Sequence, residues 1–422
     1  MNFALKGDIL FAKSTNEFSA NENSFVLCID GKCKGVYKKI PSKFKGIKVY
    51  DYTGRMIIPG LIDMHLHAPQ YQFVGLHMDL KLLDWLNQYT FPEEAKYKNL
   101  AYAKKAYDIF VNDLKKSPTT RFSMFATIHN DATLYLMKKL EEAGFKGFVG
   151  KVNMDRNSPK YLIESTKASI ANTESWIKKS NKFNNIKPII TPRFIPSCTD
   201  ELLYALSSIA EKYNLPIQSH LSENCAEIEW VKELVKDCKS YEKAYDKFGM
   251  FGTISNTVMA HYVWPDEEGE ELIKNRKVWV AHSPSSNNNI SSGIAPIGRY
   301  LKEGIKVGLA TDVAGGSYLS MFRAIEDSIT ASKIRKTLFD KDVDSINIVQ
   351  AFYIATKGGG EFFGKVGSFE EDYEFDAVVL DESHIPTTLF KELSLIERFE
   401  RFIYRPNNSV YAKFISGKKI KK

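Results

Sequence analysis

Apolar and polar positions alternate with period two through the first 58 residues, in short runs such as DILFAK, SFVLCID and GIKVYDY broken by Gly, Asn and Asp. Strand side chains point alternately to opposite faces, so this texture predicts small antiparallel strands joined by turns. It returns near the other end, in FDAVVLD and SVYAKFISGKKI. Between the ends the pattern changes. Eight short apolar runs, MIIPGLIDMHLH, SMFATIH, GFVGKVNM, KPIITPRF, PIQSHLS, TVMAHYV, KVWVAH and KVGLATD, alternate with segments of helical period. Residues 132–143 follow Asp131 as a candidate N-cap and stop at Gly144, and residues 200–213 put Leu202, Leu203, Leu206 and Ile209 on one face. Eight parallel strands close a βα ring. The prediction is an α/β chain: a (β/α)8 TIM-like barrel over 59–367 and a small discontinuous β-sandwich from 1–58 and 368–422.

One connection departs from the pattern. From Ala68 to Glu94 the chain runs APQYQFVGLHMDLKLLDWLNQYTFPEE, far longer than an ordinary βα loop, and long loops in compact domains often act as lids. Its aromatics, Tyr71, Phe73, Trp85, Tyr89 and Phe91, either cover a flat ligand or pin the loop to the barrel rim.

Composition narrows the function. The net charge of +7 comes from 58 Lys and Arg against 51 Asp and Glu, interleaved along the chain. A nucleic-acid binder would concentrate its basic residues in a stripe with a reading module, so no nucleic-acid partner is expected. The one dense basic run, GKKIKK, reads as a solvated, frayed tail. Five cysteines, Cys28, Cys33, Cys198, Cys225 and Cys238, form no C-x-x-C pair. They suggest neither a disulfide framework nor a thiolate metal site. No signal peptide and no membrane-spanning run is expected, because the N-terminus carries Asp8 and no apolar stretch nears the ~18 residues needed. The expected setting is cytoplasmic.

Candidate chemistry sits at the predicted strand ends. His65 and His67 end the first strand, His129 the second, Arg193 the fourth, His220 the fifth, His261 the sixth, His282 the seventh and Asp312 the eighth. Six of the eight histidines therefore fall at one end of the ring, the end where such barrels keep their active sites. Two imidazoles in His-x-His share one side of a strand and suit one metal ion. His65, His67, His220 and Asp312 would hold a metal that makes water nucleophilic near neutral pH, with His261 placed to steer that water. Glu223, three residues past His220, can reach both water and a substrate nitrogen, or it can simply open the next helix as a first-turn carboxylate. Arg193 stands where binuclear hydrolases carry a bridging lysine carbamate, which favours a single metal. Its planar fork suits the O6 and N7 edge of a guanine, although a strand-end salt bridge is an equal use for it. Lys151, ending the third strand, is a weaker candidate.

The segments PGLIDMHLHAPQY, DWLNQYTFPEE, FATIHND, FVGKVNMD, TPRF, QSHLSEN, VMAHYV and GLATDVAGGSYLSM resemble the guanine deaminases of the amidohydrolase superfamily. The resemblance covers about residues 59–330. It implies His65, His67, His220 and Asp312 as metal ligands, Glu223, His261 and Asp312 as catalytic residues, and Gln70, Arg193, Phe194, His220 and His282 around the substrate. His282 lies in VAHSPSSNNN, similar to a family segment that carries cysteine where this chain has serine. The implied reaction releases ammonia from C2 of guanine and leaves xanthine. Asp312 takes the proton of the attacking water, while Glu223 protonates ring N3 and then the leaving nitrogen. The resemblance also implies one Zn2+ per chain, with iron an alternative for the same donors, a small-molecule substrate (guanine), and a homodimer. The alternatives are a hydrolase for another flat heterocycle, such as cytosine, a triazine or a modified purine, and an inactive scaffold, which should have lost ligands.

Overall fold

The structure is a computed structural model describing residues 1–386, 392–405, 407 and 409–421. The parts of the predicted terminal unit at 387–391, 406, 408 and 422 lie outside the described residues. Four strands open the chain: β1 (Phe3–Ser14), β2 (Glu17–Ile29), β3 (Lys32–Tyr37) and β4 (Lys48–Pro59). The barrel strands follow as β5 (Leu61–His67), β6 (Thr119–Phe125), β7 (Gly147–Gly150), β8 (Val152–Asn153), β9 (Ile186–Pro188), β10 (Thr191–Pro192), β11 (Ile217–Leu221), β12 (Thr257–His261), β13 (Trp279–His282) and β14 (Lys306–Leu309). The chain closes with β15 (Ala377–Asp381), β16 (Ser409–Ile415) and β17 (Lys418–Lys419).

The two termini meet in one seven-stranded sheet of order β17-β16-β15-β4-β1-β2-β3. A bulge between Gly7 and Ile9 bends β1, and one face packs around Phe3, Leu5, Ile9, Val26, Ile57, Val379 and Phe414. The tail is not frayed through Ile420. Ser416 and Gly417 both have positive φ (46° and 76°), the geometry of a two-residue hairpin turn. That turn folds Lys418 back onto Ile415, and Ile420 is buried.

Two four-stranded parallel sheets, β5-β6-β7-β9 and β11-β12-β13-β14, form the ring. Hydrogen bonds bridge both seams. At one, the Gln218 N–H donates to Ile190 O at 2.9 Å; at the other, the Asp312 N–H donates to His65 O at 2.9 Å and the His67 N–H to Val313 O at 2.8 Å. The run MIIPGLIDMHLH is not one strand, because it breaks at Gly60 as it leaves the terminal sheet. A Cβ on Gly60 would lie 2.1 Å from Thr120 Oγ1, so only glycine allows this approach.

Helices cover the ring. Asp200–Tyr213 buries Leu202, Leu203, Leu206 and Ile209, with Thr199 as its N-cap and Asn214 left-handed at its end, as its period predicts. The Asn130–Glu142 helix starts earlier than expected. His129 is its N-cap residue and Asp131 lies inside the first turn, where a carboxylate still opposes the dipole. The terminal sheet is tied to the barrel by buried charge. Arg121 of β6 donates to Asp376 at 2.6 Å and to Glu374 at 2.7 Å. Lys413 of β16 donates to three carbonyls, of Leu114, Ser117 and Thr119, at 2.9–3.0 Å. Among the described residues, no helix is long and apolar enough to cross a membrane.

Candidate active site

The strand ends are bent where the functional residues sit. Ser222, His261, Tyr262 and Asp312 all take positive φ (45°, 77°, 47° and 47°), a conformation that costs a non-glycine residue roughly 1 kcal/mol or more and that clusters at functional sites. These bends aim side chains from β11, β12 and β14 at the His65–His67 pair of β5.

The result is a nest of nitrogen and oxygen donors. The ligand atoms of His65, His67 and Asp312 lie within 4.8 Å of one another, as do those of His65, His220 and His261. Asp312 Oδ1 is 3.1 Å from His65 Nε2 and 3.6 Å from His67 Nε2. The His220 Nδ1–H donates to Arg193 O at 2.6 Å, leaving an Nε2 lone pair that faces His67 Nε2 at 3.3 Å. Burial holds His65, His67 and His220 well below the usual imidazole range, and neighbouring imidazoles lower them further. Neutral imidazole is the ligand form. His65 Nε2 is buried with no hydrogen-bond partner, a costly state that a cation would relieve. The donors therefore fit a transition metal of the zinc or iron type. Behind the nest, Asp63 accepts from Thr311 N and Oγ1 at 3.0 and 2.6 Å, clamping the β5 and β14 ends together.

Glu223 stands beside this nest with His261 Nε2 3.4 Å from its Oε2. Ser292 Oγ–H donates to its Oε1 at 3.0 Å. Burial, and then the Asp312 carboxylate, push the Glu223 carboxyl up to about 8, so it carries a proton at neutral pH. His261 is oriented by Asn287 Oδ1, 2.8 Å from Nδ1. Glu227 accepts the Glu223 N–H at 3.1 Å and the Tyr241 hydroxyl at 2.8 Å, fixing the turn that presents Glu223.

A cavity opens over the nest, with Gln70, Arg193 and Phe194 on its wall together with His67, His220, Glu223, His261 and Asp312. The 68–94 connection folds into short helical turns, Ala68–Phe73, Leu82–Trp85, Leu86–Thr90 and Phe91–Ala95. Its aromatics divide the two expected tasks. Trp85 lines the cavity with Leu82 and Leu86, whereas Tyr71 is pinned to Asp113 and Phe91 lies 5.0 Å beneath the Arg193 guanidinium.

The structure thus brings together Gln70, Arg193, Phe194, His65, His67, His220, Glu223, His261 and Asp312. His282 ends β13 buried, neither ring nitrogen has a hydrogen-bond partner, and it is not among the residues on the cavity wall. The chain turns directly into Pro284–Asn289, and Ser286 and Ile290 take the wall instead. His129 occupies the N-cap position of a helix without a capping hydrogen bond from its side chain, and Lys151 is a buried partner of Glu164 at 2.6 Å; neither lines the cavity. Sequence reasoning missed Glu94, Glu227 and Ser292. Glu94 stood inside the distinctive YTFPEE segment, but Ser292 had no local signal.

A parallel ring that gathers imidazole and carboxylate donors at its C-terminal rim, next to a buried carboxyl, is the layout of a metal-dependent hydrolase. The chain belongs to the Amidohydrolase family, whose model matches residues 56–420. It is 38% identical to a guanine deaminase of Dictyostelium discoideum over 88% of this chain and 84% of that protein. It is 40% identical to a guanine deaminase of Rattus norvegicus over 79% and 74% of the two. A crystal structure of guanine deaminase from C. acetobutylicum with bound guanine in the active site superposes with a TM-score of 0.96, at 44% identity and 100% coverage of both chains.

Proposed function

We propose that this chain hydrolyses guanine to xanthine and ammonia, with one zinc ion per chain. One observation carries the reading: a single cavity has hydrolytic donors on one wall and a paired donor and acceptor for a purine edge, Arg193 and Gln70, on another. The guanine deaminases it resembles, one of them with guanine bound, support it.

His65, His67, His220 and Asp312 would hold the ion. When bound, zinc supplies the acidity that makes water a nucleophile near neutral pH. Arg193 and Gln70 grip the O6 and N1–H edge of the base, and Phe194 covers its face. This places C2 toward Asp312 and Glu223. Asp312 accepts the proton of the attacking water, while His261, held by Asn287, orients that water. Glu223, protonated at neutral pH, delivers its proton to ring N3, so negative charge does not build on the purine as C2 becomes tetrahedral. Reloaded from Asp312, Glu223 then protonates the departing amine; as ammonia leaves, the C2 hydroxyl returns its proton to Glu223, which gives the C2 carbonyl of xanthine and restores the acid. Iron would satisfy the same donors, and metal analysis of the purified protein distinguishes them.

The free cysteines fit a reducing cytoplasm, and the family resemblance leads to the reading of a homodimer, which sedimentation velocity checks. The catalytic assignment is tested with Glu223→Gln protein that retains its metal. Turnover of guanine is expected to fall by about 10²–10⁴-fold. Undiminished turnover removes Glu223 from the reaction.

A further inference from the structure

Glu94 is buried between the two groups that grip the edge of the ligand. It accepts from Gln70 Nε2 at 2.9 Å through one carboxylate oxygen and from Arg193 Nη1 at 2.7 Å through the other. All three side chains are nearly inaccessible, at 1–3% exposure. A carboxylate only accepts. The Gln70 amide is therefore compelled to turn its NH2 to Glu94 and its carbonyl oxygen away, where it accepts the Ala314 N–H at 3.4 Å and keeps a second lone pair. Arg193 can only donate, and Phe91 beneath its plane limits its rotation. The cavity consequently presents an acceptor, Gln70 Oε1, beside the remaining N–H donors of Arg193. The Glu94 charge also offsets that of Arg193, so the site does not call for an anion.

We propose that Glu94 is the positioning residue that fixes this donor and acceptor polarity, and that it thereby selects a ring carbonyl flanked by N–H over an amino group flanked by a bare ring nitrogen. The proposal rests on the purine reading above. Guanine has the favoured edge in O6 and N1–H. A 6-aminopurine has the reverse pattern, and would bring amine hydrogens against Arg193 and a nitrogen lone pair against the Gln70 carbonyl. Mismatches of this kind leave buried polar groups unpaired, which is how a site rejects a near-isostere.

The test compares kcat/KM for guanine and for 2,6-diaminopurine, both of which carry the 2-amino group, in metal-loaded wild type, Glu94→Gln and Glu94→Asp. Metal content and Tm are measured alongside. In Glu94→Gln the new amide can donate to Gln70 and turn it around. The guanine value is expected to fall by about 10²-fold and the guanine preference by at least about tenfold. Glu94→Asp keeps the charge but is too short to span both partners, so its preference is expected to fall by a smaller factor. This variant decides the matter if Glu94→Gln does not fold. Equal losses on both substrates, leaving the ratio of wild type, would mean that Glu94 is merely structural and overturn the proposal while guanine deamination stands. A metal-loaded wild type that releases no ammonia from guanine overturns both.

Discussion

Arg193 is held from three directions: its backbone N–H donates to Asn153 O at 3.2 Å, its guanidinium pairs with Glu94, and Phe91 supports its plane. A buried arginine committed this far loses little entropy when it binds a ligand. Removing it also strands Glu94 as an unpaired buried charge. Arg193→Ala is expected to lower kcat/KM for guanine by about 10²-fold or more, because a charge-assisted pair is lost along with the neutrality of the site. Steady-state kinetics on guanine check this, and near-wild-type values would show that the arginine does not read the base. At this scale the sequence was informative where residue types are scarce and chemically marked. Histidines at strand ends, Asp312 and the Glu223 that follows a strand announce metal and proton chemistry from their types and spacing. Glu94 and Glu227 did not, because a glutamate in a helical turn ordinarily faces solvent. Their role arises only when distant segments bury them against Arg193 and against the Glu223 turn.

At the scale of elements, the period-two and period-3.6 patterns located the strands and helices well, since each reflects the face an element buries. What escaped was local. Gly60 splits one apolar run between two sheets, and the Ser416–Gly417 turn rescues a basic tail for the terminal sheet. His282 stands behind the wall that Ser286 and Ile290 form, because the chain turns into the next helix directly after the strand end. One helix also carries a pH signature. Glu242, in the Tyr241–Lys247 helix, is buried against Gly269, and burial, helped by Asp266, raises its carboxyl from 4.5 to about 7. Below pH 4.5 both folded and unfolded chains keep this proton and it costs nothing. As pH rises toward 7 the unfolded chain ionises first, so stability falls, by up to ~3 kcal/mol once the folded carboxyl ionises too. Glu242→Gln abolishes this loss. Its Tm relative to wild type is expected to increase between about pH 5 and about pH 8. A difference independent of pH would place the Glu242 carboxyl near its ordinary value.

The whole molecule is a barrel braced by a sheet made from both chain ends. The brace is polar: Arg121 with Asp376 and Glu374, and Lys413 with three carbonyls. Buried ions of this kind are costly to break once one partner is removed, and none of them carries a sequence pattern, because the partners lie hundreds of positions apart. Alternation of βα units was enough to predict the barrel, and the barrel in turn explains why residues from positions 65 to 312 share one site. The central claim is metal-dependent hydrolysis at that site. Its most direct measurement is formation of xanthine and ammonia from guanine by the purified chain, before chelation, after chelation, and after zinc is restored. The expected result is one ammonia per xanthine, loss of turnover on chelation and recovery with zinc. Absence of xanthine from the zinc-loaded chain, or full turnover by the metal-free chain, would contradict it.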